Sequence, residues 1–73
     1  MNSKFQGKPM YIVMCINEFA HRKNLTQKDS FSYLQKFGAL NFLDEFYDIE
    51  HTLPFDDTIE TLTDICRRTG GYI

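Results

Sequence analysis

The residues best suited to chemistry are a histidine and an aspartate within one helical turn of each other. Asp48 and His51 are three positions apart and Tyr47 lies four before His51, so a helix brings all three side chains to one side. An Asp–His pair can serve as a base when a nucleophile lies beside it. Nothing in the sequence marks such a nucleophile. We therefore expect no catalytic residues and no enzymatic activity.

The cysteines and histidines do not have the spacing of a metal site. The candidate ligands are Cys15, His21, His51 and Cys66. None of them is paired at the short spacing of structural zinc sites. Gly70-Gly71 follows a predicted helix, whereas a phosphate-binding loop would precede one. We expect no metal, no cofactor and reduced thiols in a cytoplasm, with a single Cys15–Cys66 bridge as the alternative.

Charge is unevenly distributed, although the net charge is only −2. Residues 1–38 carry six Lys or Arg and two acidic residues, whereas residues 39–66 carry eight acidic residues and neither Lys nor Arg. Folding such a segment brings like charges together, a cost that a basic partner offsets. The alternative is a solvated face that keeps a small protein soluble. The candidate partner-binding residues are Asp44, Glu45, Asp48, Glu50, Asp56, Asp57 and Glu60.

Nucleic-acid binding of the helix-turn-helix type has weaker support in the sequence. The second predicted helix carries Gln27, Lys28, Gln35 and Lys36, a thin set for a recognition helix. The sequence pI of about 5.5 is low for this class, because phosphate contacts dominate affinity and binders are usually strongly basic. We therefore do not expect nucleic acid as the partner.

Length and composition predict one small all-α domain. The 73 residues are 42% hydrophobic and 25% charged, as in folded domains. So short a chain has a small core and commonly needs a partner or self-association, so a homodimer is possible. No apolar stretch approaches the roughly 20 residues of a membrane-spanning helix. We expect a flexible N-terminal leader over residues 1–8 and a single helical domain over residues 9–73.

Apolar residues at helical spacing predict a compact bundle of four short helices. The first begins near Pro9 and stops at Asn24, and Thr26 caps a second that Gly38 ends. Phe31, Leu34 and Phe37 share one face of the second helix. A third covers residues 40–50, and the last begins at residue 56 or 57 and ends at the Gly70-Gly71 pair. The predicted core is Ile12, Ile16, Phe19, Leu34, Phe37, Leu43, Phe46, Ile59, Leu62 and Ile65.

Four stretches between Tyr11 and Gly70 resemble the bacterial domain-of-unknown-function family 3791. They are Ile12-Val13-Met14-Cys15-Ile16-Asn17-Glu18-Phe19; Asn24-Leu25-Thr26 with Tyr33, Phe37 and Gly38; Leu40-x-x-Leu43 with Tyr47-Asp48-x-x-His51-Thr52; and the closing Asp56-Asp57 helix. The Tyr-Asp-x-x-His-Thr motif is the most specific. The resemblance implies a small helical protein whose gene often lies beside genes for putative toxins, including ADP-ribosyltransferase-like proteins.

Together, these features predict a protein-interaction module without catalysis. We expect an antitoxin-like or inhibitor protein that binds and restrains a toxin or effector through an acidic face. A small DNA-binding regulator is the alternative. The motif positions Tyr47, Asp48, His51 and Thr52 either close a helix end or form a recognition surface. Four aromatic residues either are exposed and mark an interface or fill gaps in the core: Tyr11, Phe42, Phe55 and Tyr72.

Overall fold

The chain is helical over most of residues 3–73, the range that the computed structural model describes, with side chains from Lys8 onward. Its helices are α1 (Ser3–Lys23), α2 (Gln27–Lys36), α3 (Ala39–Glu45), α4 (Tyr47–Glu50) and α5 (Phe55–Arg68). Residues 3–73 contain no strand, and four of the helices have seven residues or more. The predicted all-α bundle is therefore confirmed, although its helices are not all short. None of these helices has both the length and the apolar character needed to cross a bilayer.

Helix α1 begins earlier than predicted. Met1 and Asn2 lie outside the described residues, but residues 3–8 of the expected leader belong to α1. Pro9 therefore lies inside the helix, where its missing N–H removes one backbone hydrogen bond. The prediction took Pro9 as a first-turn residue. One missing bond near the N-terminal end of a 21-residue helix does not prevent the helix from extending in that direction.

The turn between α1 and α2 follows the predicted signals. Asn24 takes a left-handed conformation (φ 58°), and the Leu25 N–H donates to the Ala20 carbonyl oxygen at 2.8 Å. This bond and the left-handed residue together terminate α1. Thr26 then caps α2, since its hydroxyl oxygen accepts from the Asp29 N–H at 3.1 Å. Only three residues separate the two helices.

The predicted third helix is divided into α3 and α4 at Phe46 (φ −106°, ψ 22°). This backbone irregularity turns Phe46 outward, where 42% of it is exposed and its ring lies 5.0 Å from that of Phe42. The core position predicted for Phe46 is therefore wrong. Glu50 lies on the inner side of α4 and is buried instead.

The core matches most of the predicted apolar residues. Ile16, Phe19, Leu34, Leu43, Ile59 and Leu62 are buried, while Ile12, Phe37 and Ile65 are half-buried. Phe31 does not share the inner face of α2 and is 44% exposed. Ser30 lies on that face instead, where its hydroxyl donates to the Ile16 carbonyl oxygen at 2.8 Å. Residues absent from the predicted core but buried are Cys15, Ala20, Tyr33, Ala39 and Cys66.

Helix α5 begins one residue before the predicted start. Pro54 is its extended cap residue, and the Pro54 carbonyl accepts from the N–H groups of Asp57 at 3.1 Å and Thr58 at 3.2 Å. Gly70 ends the helix in a left-handed conformation (φ 110°), and the Gly71 N–H donates to the Cys66 carbonyl at 2.7 Å. A Cβ at Gly71 would come within 2.3 Å of the Tyr33 hydroxyl, so this close approach requires glycine.

Candidate functional site

The solvent-facing side of α5 carries a stripe of carboxylates. Asp57, Glu60 and Asp64 are spaced three and four residues apart, which places them on one side of a helix, and all three are exposed. We call these three residues the α5 acidic stripe. Ion pairs with these carboxylates are absent among the side chains from Lys8 onward. The stripe presents three negative charges to solvent on one helix, and Glu60 and Asp64 share a surface pocket with the basic side chains of Arg22, Lys23 and Arg67.

A second exposed acidic group lies on α3 and α4. Asp44, Glu45 and Asp48 are exposed, and the Asp44 carboxylate contacts the Lys8 ammonium at 3.1 Å. Asp56, beside the α5 acidic stripe, is likewise exposed and pairs with the Arg22 guanidinium. Two of the predicted partner-binding carboxylates, Asp44 and Asp56, thus form ion pairs with basic residues of α1. These pairs could not be predicted, because the paired residues are far apart in the sequence.

Glu50 is not part of the exposed acidic surface. It is only 8% exposed, and its carboxylate accepts a hydrogen bond from the Thr58 hydroxyl at 3.2 Å. The Tyr11 hydroxyl lies 3.4 Å from the same Thr58 oxygen. Because Thr58 gives its one hydroxyl proton to Glu50, Tyr11 donates to Thr58. These three residues form what we call the buried polar chain, which links α1, α4 and α5.

Within the buried polar chain, the Tyr11 hydroxyl is favoured in its protonated form. Burial raises the pKa of Tyr11 to about 12. The phenol therefore stays neutral and acts as a donor at physiological pH. Sequence analysis did not detect this chain. The signal was present, since Leu43, Tyr47 and Glu50 continue one helical stripe inward.

The Tyr-Asp-x-x-His-Thr motif closes the end of α4. His51 Nδ1 lies 2.7 Å from the Tyr47 carbonyl oxygen, and the Thr52 hydroxyl donates to the Ile49 carbonyl at 2.7 Å. The His51 ring also stacks on the Tyr47 ring at 4.4 Å. Asp48 is exposed and does not bond to His51 in the described part of the chain. The motif therefore has a capping role at His51 and Thr52, whereas the expected helix-closing role of Asp48 is not seen.

Four aromatic rings meet between α1, α4 and the start of α5. The Tyr11 ring stacks on Phe55 at 6.2 Å with an interplanar angle of 14°, and the Tyr47 ring meets its edge at 5.5 Å. His51 completes the group through its stack on Tyr47. We call these four residues the outer aromatic cluster. Tyr11, Tyr47 and Phe55 are half-buried and His51 is exposed, so the cluster reaches the surface.

Both cysteines are free and lie in the core. Burial raises the pKa of the Cys15 thiol to about 11 and also raises that of Cys66. The protonated form is a weak nucleophile and a weak metal ligand. Within the described residues, no three His, Cys, Asp or Glu side chains come together as a metal site would require.

The side chains proposed for a DNA-reading face lie on the outside of α2. Gln27, Lys28, Gln35 and Lys36 are all exposed. The Lys36 ammonium lies 5.4 Å from the centre of the Phe37 ring. Helix α3, which follows α2 after a short turn, carries the exposed carboxylates of Asp44 and Glu45. Negative charge at that place opposes contact with phosphates.

Comparison with known proteins identifies a family but no characterised relative. The sequence model described as "Protein of unknown function (DUF3791)" matches residues 10–69. No curated protein and no solved structure matches the chain. The resemblance inferred from the four stretches is thus confirmed by a match over most of the sequence. The protein belongs to the DUF3791 family.

Proposed function

We propose that this protein is a non-enzymatic interaction module that binds a basic surface of another protein and thereby restrains a toxin or effector. The observation that carries this proposal is the α5 acidic stripe. Asp57, Glu60 and Asp64 are held on one exposed helical face, where their mutual repulsion falls when a cationic surface covers them. Asp44, Glu45 and Asp48 extend the acidic character to α3 and α4.

Two features support a role without catalysis. The buried Cys15 thiol has its pKa raised to about 11, which disfavours the nucleophilic thiolate. His51 Nδ1 contacts the Tyr47 carbonyl instead of an Asp that would orient it as a base. The free, buried thiols suit a reducing compartment, which supports a cytoplasmic location as part of the proposal.

The restraining role rests on the gene arrangement that the family resemblance implies. A small protein encoded beside a toxin acts most simply by covering a surface that the toxin needs. Such a protein requires only complementary shape and charge. The acidic surface, after Glu50 is excluded, supplies the charge.

Charge reversal tests the proposal. Two triple variants are made, one with Asp57, Glu60 and Asp64 changed to Lys and one with Asp44, Glu45 and Asp48 changed to Lys. A control introduces Lys at the exposed α2 positions Gln27, Ser32 and Gln35. Each is co-expressed with the product of the adjacent gene, and complex formation is measured at 50 and 300 mM salt.

We expect the α5 variant to weaken the complex at least tenfold and to abolish protection of the host cells. The control should retain binding, and the wild-type complex should weaken as salt rises. The α3–α4 variant shows whether the second acidic group takes part. If both acidic variants bind as tightly as wild type, the acidic surface is not the binding site and the proposal fails.

The alternative, a small DNA-binding regulator, has its own measurement. Fluorescence anisotropy with labelled duplex DNA would detect binding that weakens steeply with salt. In that case Lys28→Ala with Lys36→Ala would reduce affinity, whereas the α5 acidic variant would increase it. This pattern would replace the protein-binding proposal with the regulator.

A further inference from the structure

A shallow groove with both apolar and polar lining lies between α1 and the start of α5. Met14 and Phe55 line it together with Asn17, Glu18 and His21. Met14 is 46% exposed, and Met10, one helical turn earlier on the same side of α1, is 62% exposed. Neighbouring exposed methionines beside an aromatic ring form an apolar patch that a small soluble domain does not need for its own stability.

The floor of the groove is rigid and its edge is adaptable. Phe55 stacks on Tyr11, whose hydroxyl is anchored by Thr58 of the buried polar chain. Tyr47 supports Tyr11 from the opposite side through its edge contact. Methionine side chains, by contrast, are flexible and fit surfaces of varied shape. This combination suits an apolar side chain of a partner even when its shape does not match the groove before binding.

The rim of the groove is acidic. Glu18 lines it, and Asp56 and Asp57 follow Phe55 directly in the chain. Glu18 and Asp56 share the single guanidinium of Arg22, with Glu18 at 2.8 Å. One cation against three carboxylates leaves net negative charge beside the apolar surface. A ligand with a cationic border is therefore favoured.

We propose that this groove binds a basic amphipathic helix of the partner protein, a proposal that rests on the protein-binding function inferred above. The apolar face of that helix packs on Met10, Met14 and Phe55, and its Lys or Arg residues meet Glu18, Asp56 and Asp57. An amphipathic helix in a groove buries its apolar side chains at spacings of three and four residues. From Met10 to His21, α1 offers about 16 Å, or about three helical turns, at about 1.5 Å per residue.

A second copy of this chain is a less suitable occupant. A twofold interface places the same patch of each subunit opposite itself, so the rim carboxylates of one copy would meet those of the other. The like charges at the rim disfavour that arrangement. A cationic helix gains from the same charges, which decides between the two occupants.

The test uses two labelled peptides of 14 residues. In one, Leu lies on one face of the helix and Lys on the other; in the second, Glu replaces each Lys. Anisotropy measures their binding to the full chain and to Met10→Gln with Met14→Gln. The matched control is Val13→Gln with Phe31→Gln. Val13 and Phe31 are 46% and 44% exposed but do not line the groove. Circular dichroism verifies that all variants remain folded.

We expect the Leu/Lys peptide to bind, the methionine variant to weaken it at least tenfold, and the control to leave it unchanged. The Leu/Glu peptide should not bind. Equal weakening by both variants, equal binding of both peptides, or a dimer in sedimentation that the methionine variant dissolves would overturn the groove proposal. Asp57 belongs to both the stripe and the groove rim, but the methionine variant changes no acidic residue, so failure of the groove can be told apart from failure of the charge-reversal test.

Discussion

The molecule contains two aromatic groups that use similar residues at different depths. Phe19, Tyr33 and Phe37 form an inner aromatic cluster, in which Phe19 stacks on Tyr33 at 5.9 Å and Tyr33 meets Phe37 at 4.9 Å. Phe19 is fully buried and Tyr33 is 8% exposed. The outer aromatic cluster has rings at comparable distances, yet Tyr11, Tyr47 and Phe55 are only half-buried and His51 is exposed.

The difference arises from what lies beneath each cluster. Under the inner cluster, Ser30 bonds to the α1 backbone, and Phe19 and Tyr33 are buried while Phe37 is half-buried. Under the outer cluster lies the buried polar chain, and the short helix α4 covers it on one side only. Depth, not residue type, therefore separates buried rings from rings that reach the surface.

The largest expected effect is a difference in unfolding free energy between a substitution in the inner cluster and one in the outer cluster. Phe19→Ala removes a fully buried ring and should cost about 3–5 kcal/mol of unfolding free energy. Tyr47→Ala should cost about 1 kcal/mol, because much of its ring is already solvated. Urea titration followed by circular dichroism measures both. Equal losses for the two variants would show that the outer cluster contributes as much to the unfolding free energy as the inner one.

The buried polar chain provides the next test. Thr58→Val keeps the side-chain size but leaves the Glu50 carboxylate and the Tyr11 hydroxyl without their partner, at a cost of about 1–3 kcal/mol. The control is Thr63→Val, since the buried Thr63 hydroxyl donates only to the Ile59 carbonyl within α5. We expect the control to cost well under about 1 kcal/mol. The prediction fails if the two urea midpoints fall together.

The cap of α2 affects the inner cluster indirectly, because α2 carries Tyr33 and Phe37. Thr26→Ala removes the acceptor for the Asp29 N–H and should destabilise the protein by about 1 kcal/mol. Thr61→Ala is the matched control, since its hydroxyl bonds to the Asp57 carbonyl inside α5 and caps no helix end. A control loss as large as that of Thr26→Ala would contradict the capping assignment.

The smallest effect is confined to alkaline pH. In the folded protein the pKa of Cys15 is about 11 and that of Tyr11 about 12, against ordinary values of 9.0 and 10.0. Above about pH 9 the unfolded chain releases protons that the folded chain keeps, so stability present below pH 9 is lost as pH rises towards 11 and 12. Tyr11→Phe should show a shallower fall in urea midpoint between pH 10 and 12. An identical fall would show that Tyr11 does not contribute to the loss of stability at alkaline pH.

Local backbone signals were readable in the sequence. Asn24, Thr26, Gly38 and Gly70 each end or cap a helix by an interaction within a few residues, so their roles need no knowledge of the fold. The helical spacing of apolar residues likewise predicted most of the core. The start of α1 was the exception, because Pro9 favours a first turn without enforcing one.

The candidate site was less predictable because its arrangement depends on contacts between distant residues. Glu50 was counted among the surface carboxylates, but it is buried and accepts a hydrogen bond from Thr58 of another helix, α5. The pair between Lys8 and Asp44 joins residues from different helices. Met10 and Met14 were absent from the predicted core and are exposed, but only the fold brings Met14 beside Phe55 of α5.

The three-residue turn between α1 and α2 has a consequence for how the chain reaches its structure. A short connection costs little loop-closure entropy, and the contacts it permits lie close together in sequence. The Leu25–Ala20 backbone bond and the Ser30–Ile16 bond can both form while the rest of the chain is still unstructured. The short turn therefore favours early pairing of α1 with α2 during folding.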